Sequence, residues 1–198
     1  MLGDIVDDLA ETLQQVADHL EARGLHADHF GRTVDSPRGI LVKDGTVTAA
    51  TSSSISDGAA AFVMMSEAEA NRRGLQPLAR IIAHSAFAQE PAWFTTAPIY
   101  AVRKLHEALG WTPDDVDLYE INEAFAVVTM AAMQDLGLSH DKVNVNGGAC
   151  ALGHPIGATG CRISVTLLHA LMARGLKRGI ASQCIGGGEA TAVAYELV

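Results

Sequence analysis

From Val116 to Val198, short β-type runs alternate with apolar helical runs, and glycines stand at the joints. Val116-Asp117-Leu118-Tyr119-Glu120-Ile121 alternates like a strand and runs through Asn122-Glu123-Ala124-Phe125 into a helix ending near Leu136-Gly137. Lys142-Val143-Asn144-Val145-Asn146 reads as a short strand feeding a glycine-rich stretch, and Ile163 to Gly175 as an apolar helix. Gly179 to Ile185 and Ala190 to Leu197 read as two buried strands around a Gly186-Gly187-Gly188 turn. Strands that alternate with helices and end in a hairpin imply a layered α/β domain.

The chain before this point is less regular. Ile5, Leu9, Leu13, Val16 and Leu20 fall on one face of an amphipathic helix, stopped at Gly24. Residues 31–44 read as a loop, and Gly45 to Ala50 as a short β-type run. Thr51 to Gly58 is a small-polar loop, and Ala59 to Met65 is apolar enough for a buried strand. Ser66 caps a short helix with acids in its first turn. Ala79 to Ala83 is another strand candidate, and a helix from Ala97-Pro98 to Leu109 stops at Gly110.

Composition narrows the function classes. Apolar residues make up 48% and charged ones 19%, which argues against a disordered chain. The net charge of −9 argues against a nucleic-acid surface, because phosphate binding rests on clustered Lys and Arg. No apolar run is long enough for a membrane span, and Met1-Leu2-Gly3-Asp4 lacks the basic flank of a secretory signal. Cys150, Cys161 and Cys184 form no Cys-x-x-Cys pair, so no zinc ribbon is expected. Free thiols fit a reducing, cytoplasmic compartment.

Three segments stand out: Asn122 to Phe125 at a strand-to-helix junction and, combining reactive groups with glycine, Gly147 to Gly160 around His154-Pro155 and Cys184-Ile185-Gly186-Gly187-Gly188. Glycines let backbone approach a ligand and expose N–H donors. A thiol beside three glycines sits where an oxyanion hole can form. The spacing of Gly153, Gly157 and Gly160 is not a dinucleotide fingerprint. By spacing alone, the Gly147–Gly160 run is also consistent with an ordinary strand-to-helix turn.

Asn122-Glu123-Ala124-Phe125, Asn146-Gly147-Gly148 through Leu152-Gly153-His154-Pro155-Ile156-Gly157, and Cys184 to Gly188, in this order, closely resemble the C-terminal half of thiolases. Asp44 to Ala49 and Asp57 to Ala61 are similar to the family's entry to that half. The resemblance implies an α/β layered sandwich half, with a mixed five-stranded sheet and helices on its faces. It covers residues 39–198, and residues 1–38 form a helix and linker unlike the family. His154 resembles the histidine that activates the nucleophilic cysteine and helps bind the thioester oxygen. Cys184 resembles the acid/base cysteine, expected to have a lowered pKa. Asn122 is similar to the asparagine that holds a water in one oxyanion hole. Gly186 is similar to the glycine whose N–H joins the other, and Ser53 to the serine beside the coenzyme A pantetheine arm.

The chain is about half the family's length, and it carries no cysteine before Cys150, although the acylated cysteine of thiolases lies in their first half. Neither Cys150 nor Cys161 is a good stand-in nucleophile. The resemblance implies acetoacetyl-CoA plus CoA exchanging with two acetyl-CoA. The chain would supply the acid/base half, with a partner chain carrying the N-terminal half, or as a homo-oligomer. The alternative is a truncated, non-catalytic CoA-binding or assembly module. A decarboxylating ketosynthase is disfavoured, because those relatives use histidine where Cys184 stands. Coenzyme A is a substrate here, so no cofactor is implied. Ala88 to Phe94 and Ala97 to Ala101 resemble short-chain acetoacetyl-CoA thiolases, including potassium-activated ones. The carbonyls around Ala83 to Ala88 are then a candidate potassium site, with an ordinary loop as the plainer alternative.

Overall fold

The computed structural model describes residues 47–198. The amphipathic helix read over Ile5–Leu20 and the loop over 31–44 lie outside the described residues. A four-stranded sheet organises the rest, in the order β1-β4-β3-β2. Its strands are β1 (Ala79–Ala88), β2 (Leu118–Ile121), β3 (Arg178–Ile185) and β4 (Glu189–Leu197). β1 and β3 run antiparallel to β4, and β2 runs parallel to β3.

The helices are α1 (Glu67–Arg73), α2 (Ala97–Leu109), α3 (Ala126–Leu136), α4 (Ala149–Leu152) and α5 (Thr159–Arg174). Strand residues alternate between two apolar clusters, as the two-residue strand period requires. Tyr119, Ile121, Ile180, Ala190, Ala192 and Ala194 join Ile99, Val102 and Leu105 of α2 and Ala131 and Ala132 of α3. Leu118, Ala181 and Tyr195 pack instead on Ile163, Leu167 and Leu171 of α5. The sheet is thus covered on both faces. Gly179 allows the closest approach to α5, where a Cβ would stand 2.8–2.9 Å from the Leu167 side chain. Gly110, Gly137 and Gly175 end α2, α3 and α5 in left-handed backbone, so these expected stops are met.

Three expectations are corrected. The described residues hold four strands of the expected five-stranded sheet, and the Lys142–Asn146 run read as a short strand does not join it as one. That run is reduced to one bridge between Tyr119 and Val143. Asn144 turns away at φ 48°, and its side-chain amide then replaces the ladder. Its Oδ1 accepts from Ile121 N–H at 2.9 Å, and its Nδ2 donates to the Ile121 carbonyl at 2.9 Å. The run around Val47 to Ala50 is not a strand. A short 3₁₀ turn spans Ala49–Thr51, closed by reciprocal bonds between Thr48 and Thr51. Ala59 to Met65 is neither a strand nor buried. Val63 is 86% exposed, Met64 65%, and Phe62 and Met65 are exposed with them. An apolar run becomes a buried strand only where a sheet receives it, and no described strand pairs with this one.

Candidate active site

β2 and β3 run parallel, so their carboxyl ends emerge together, the edge where ligands gather in α/β sheets. Asn122 follows β2 directly, and its N–H donates to the Ser182 carbonyl of β3 at 2.8 Å. The pairing of Ser182 with Ile121 places Cys184 further along the same edge.

His154 reaches this edge from the glycine-rich loop between α4 and α5. Its Nε2 lies 3.4 Å from Asn122 Nδ2, and its Nδ1 lies 2.7 Å from Thr159 Oγ1. The Thr159 hydroxyl proton goes to the Pro155 carbonyl at 3.0 Å. That leaves the hydroxyl oxygen to accept Nδ1–H, so Nε2 holds the ring's lone pair and accepts from the Asn122 amide. Burial, with the Arg162 charge second, lowers the His154 pKa below the ordinary histidine value. The ring is therefore a neutral base at neutral pH. Asn122 is buried, and its Oδ1 has no hydrogen-bond partner.

Two structural ties hold the loop. Glu123 accepts from Cys150 N–H at 2.9 Å, and a Cβ on Gly148 would come within 2.9 Å of Glu123 Cβ. Gly153 has φ 91°, and a Cβ there would stand 2.9 Å from Ser56 Cβ. The Ser52–Ile55 segment runs between the two loops. Ser53 N–H and Oγ both donate to the Ala124 carbonyl, at 3.0 and 2.8 Å. His154 N–H donates to the Ser54 carbonyl at 2.9 Å. Ser53 is thus tied beside Asn122 and His154. A cleft of about 380 Å³ opens nearby, lined by Ser56 to Ala60 and by Pro155 to Ala158 with Cys161.

Cys184 packs in a small apolar cluster with Val47, Phe94 and Phe125. Burial pushes its thiol up to about 11, against the lowered value expected from the sequence. Cys150 is also pushed up, to about 12, by burial first and then by Glu123, which leaves it protonated. Gly186 sits exposed in the β3–β4 turn, where a Cβ would meet nothing within 4 Å. Gly188 fixes the turn against β1's exit. It has φ 99°, its carbonyl accepts from Gln89 N–H at 3.0 Å, and a Cβ would collide with the Gln89 carbonyl.

The Ala83–Ala88 stretch forms part of β1, paired with β4, and its Ala86 carbonyl accepts from Lys104 Nζ at 2.9 Å. Among the described residues, no group of three or more His, Cys, Asp or Glu is placed to hold a metal.

Thr159, Glu123, Arg162 and Glu120 have no assigned role in the sequence argument. Thr159 had a usable signal: a hydroxyl five residues after His154, at the start of a helix.

The family model "Thiolase, C-terminal domain" matches residues 75–197, and "Thiolase, N-terminal domain" matches residues 11–68. The second match begins inside the segment expected to stand outside the family. The acetyl-CoA acetyltransferase of Allochromatium vinosum is 47% identical over 180 residues, 91% of this chain and 45% of that protein. The cytosolic acetyl-CoA acetyltransferase of Mus musculus is 53% identical over 152 residues, 77% of this chain and 38% of that protein. The chain thus spans less than half the length of these relatives. The crystal structure of the Bacillus anthracis acetyl-CoA acetyltransferase matches 98% of this chain and 56% of its own, with a TM-score of 0.79 at 38% identity. A thiolase of Ascaris suum in complex with coenzyme A matches the same shares at a TM-score of 0.74 and 32% identity.

Proposed function

This chain belongs to the thiolase family, and on that premise we propose that it performs the acid/base half of thiolase chemistry. The reaction is acetoacetyl-CoA plus CoA to and from two acetyl-CoA. The nucleophilic cysteine comes from a polypeptide segment outside this sequence. One observation carries the proposal: a neutral His154 with its Nε2 lone pair aimed at Asn122, at the carboxyl end of β2 and β3.

In thiolysis the partner's cysteine attacks the ketone carbonyl and gives its proton to His154 Nε2. The bond between the α-carbon and that carbonyl carbon breaks, leaving an acyl-cysteine and an acetyl-CoA carbanion. Cys184 Sγ–H gives its proton to that carbon. The incoming CoA thiol then gives its proton to Cys184 as its sulfur attacks the acyl carbon, the bond from that carbon to the partner's cysteine breaks, and the departing sulfur takes its proton back from His154. A thiol held up near 11 suits the donor role, because it rests protonated. Gly186 N–H and the Asn122 amide serve as donors for the developing oxyanions, each contributing about 3 kcal/mol. Ser53 is assigned the place beside the pantetheine arm, and its bond to the Ala124 carbonyl would hold it there.

The exposed Phe62 to Met65 run supports the missing partner. It falls within the residues matching the family's N-terminal domain. The rest of that domain, as another polypeptide, covers it; a second copy of this chain is the alternative occupant. The cytosolic mouse relative supports a cytoplasmic setting.

Acetoacetyl-CoA thiolysis tests the proposal, with this chain alone and with a polypeptide bearing the family's N-terminal half. The expected result is turnover only in the mixture, reduced about 10²–10⁴-fold by His154→Ala. Full activity in that variant overturns the proposal. Saturable CoA binding with no turnover in either arrangement establishes instead a non-catalytic CoA-binding module.

A further inference from the structure

A buried ion pair lies under the candidate site and is not used by the chemistry above. Glu120 sits two residues before Asn122 on β2, so both point to the α5 side of the sheet. Arg162 comes from the first turn of α5, three residues after Thr159, the residue that holds the His154 ring. Arg162 Nη1 lies 3.7 Å from Glu120 Oε2. Glu120 is 2% exposed. Its second oxygen, Oε1, and Arg162 Nη1 are both buried without a hydrogen-bond partner. This pair is held by charge alone and is only half satisfied, an arrangement that folding stability does not reward.

We infer that the Glu120–Arg162 pair sets the basicity of His154, with Glu120 a positioning residue that acts through Arg162. The inference rests on His154 being the base of the proposed reaction. The elements around Glu120 leave few other charges to consider. β3 brings Gly179 to Ser182 alongside β2, and residues 143–146 carry no ionisable side chain. α5 supplies Arg162. The same Arg162 charge bears on His154, where it adds to burial in lowering proton affinity. On Glu120, burial pushes the carboxyl up to about 7, and Arg162 draws it down. An ionised Glu120 offsets the guanidinium and leaves His154 more basic. A protonated Glu120 exposes His154 to the full positive charge and leaves it a weaker base. The groups therefore titrate as a linked set.

The test follows the His154 ring by NMR in the full chain across pH, with its signals assigned by substitution. Glu120→Gln is expected to lower the His154 midpoint by about half a pH unit, a threefold loss of proton affinity. Arg162→Met is expected to raise it, and Arg162→Lys to keep it near the starting value. Opposite movements are the signature, because a purely structural role would shift both variants alike. Midpoints that move together, or not at all, overturn the inference. If Glu120→Gln loses its circular dichroism, the unaltered chain decides: a second inflection near neutral pH supports the inference, and its absence overturns it. The result separates from the catalytic proposal. A moved midpoint without thiolysis in the mixture sinks that proposal alone, and thiolysis with an unmoved midpoint sinks this one alone.

Discussion

Residues 59–65 and β4 are both apolar runs of strand-like composition, yet they meet opposite fates. β4 lies between β1 and β3, and Ala190, Ala192 and Ala194 are buried. Residues 59–65 run without a described strand partner and leave Val63 and Met64 in solvent. The difference lies in the neighbours rather than in the residues. β4 finds its sheet within this chain. The other run falls where the N-terminal-domain match ends, and no strand among the described residues pairs with it.

The largest expected effect tests the β4 side of this contrast. Leu167→Ala empties a fully buried position under the sheet and is expected to cost about 2–5 kcal/mol in urea unfolding. A loss under 1 kcal/mol would mean that this core is looser than its burial implies. Next comes the junction between the two regions. Gly153→Ala forces an alanine to φ 91° and crowds Ser56, at a cost of about 1–3 kcal/mol. Hydrogen exchange is expected to show the Ser53 amide losing protection while the Asn122 amide keeps it. Equal loss at both would merge the regions into one unit.

The third effect concerns pH. The folded Glu120 carboxyl is raised from its ordinary range to about 7. The folded state therefore binds the extra proton, and this contribution to stability is full below about pH 4.5 and lost as pH rises through 7. Glu120→Gln should flatten that part of the unfolding profile, and an unchanged slope would show that the carboxyl does not titrate there. Ser53→Ala removes one hydrogen bond to Ala124 and should cost about 0.5–1.5 kcal/mol. Smallest of all, Met64→Ser in the exposed run should change stability by less than about 0.5 kcal/mol. A cost above 1 kcal/mol would show that the run is covered in solution, and light scattering would then reveal by what.

The elements with complete local signals were legible in the sequence. Gly110, Gly137 and Gly175 marked helix ends because left-handed backbone there favours glycine. Ser66 marked the start of α1, where its hydroxyl accepts from Glu69 N–H. His154 stood out by its glycine-rich setting and Asn122 by its strand-to-helix junction, and the structure brings their side chains together. What was not legible depends on distant partners. The Glu120–Arg162 pair joins residues 42 positions apart, and nothing local announces it. Cys184 looked like an acidic thiol beside amide donors, but Phe94, Phe125 and Val47 dry its surroundings and reverse the direction. The strand read over Lys142–Asn146 failed for a local reason, because Asn144 bends at positive φ.

Asn144 has a further consequence. By filling both hydrogen-bonding positions of Ile121 with one side chain, it blunts the β2 border of the sheet. A foreign strand cannot add there without displacing that amide. Only the β1 border remains open to such growth among the described residues, and there Arg80, paired with Glu67, places an ion pair beside the edge, a charged feature that disfavours edge-to-edge association.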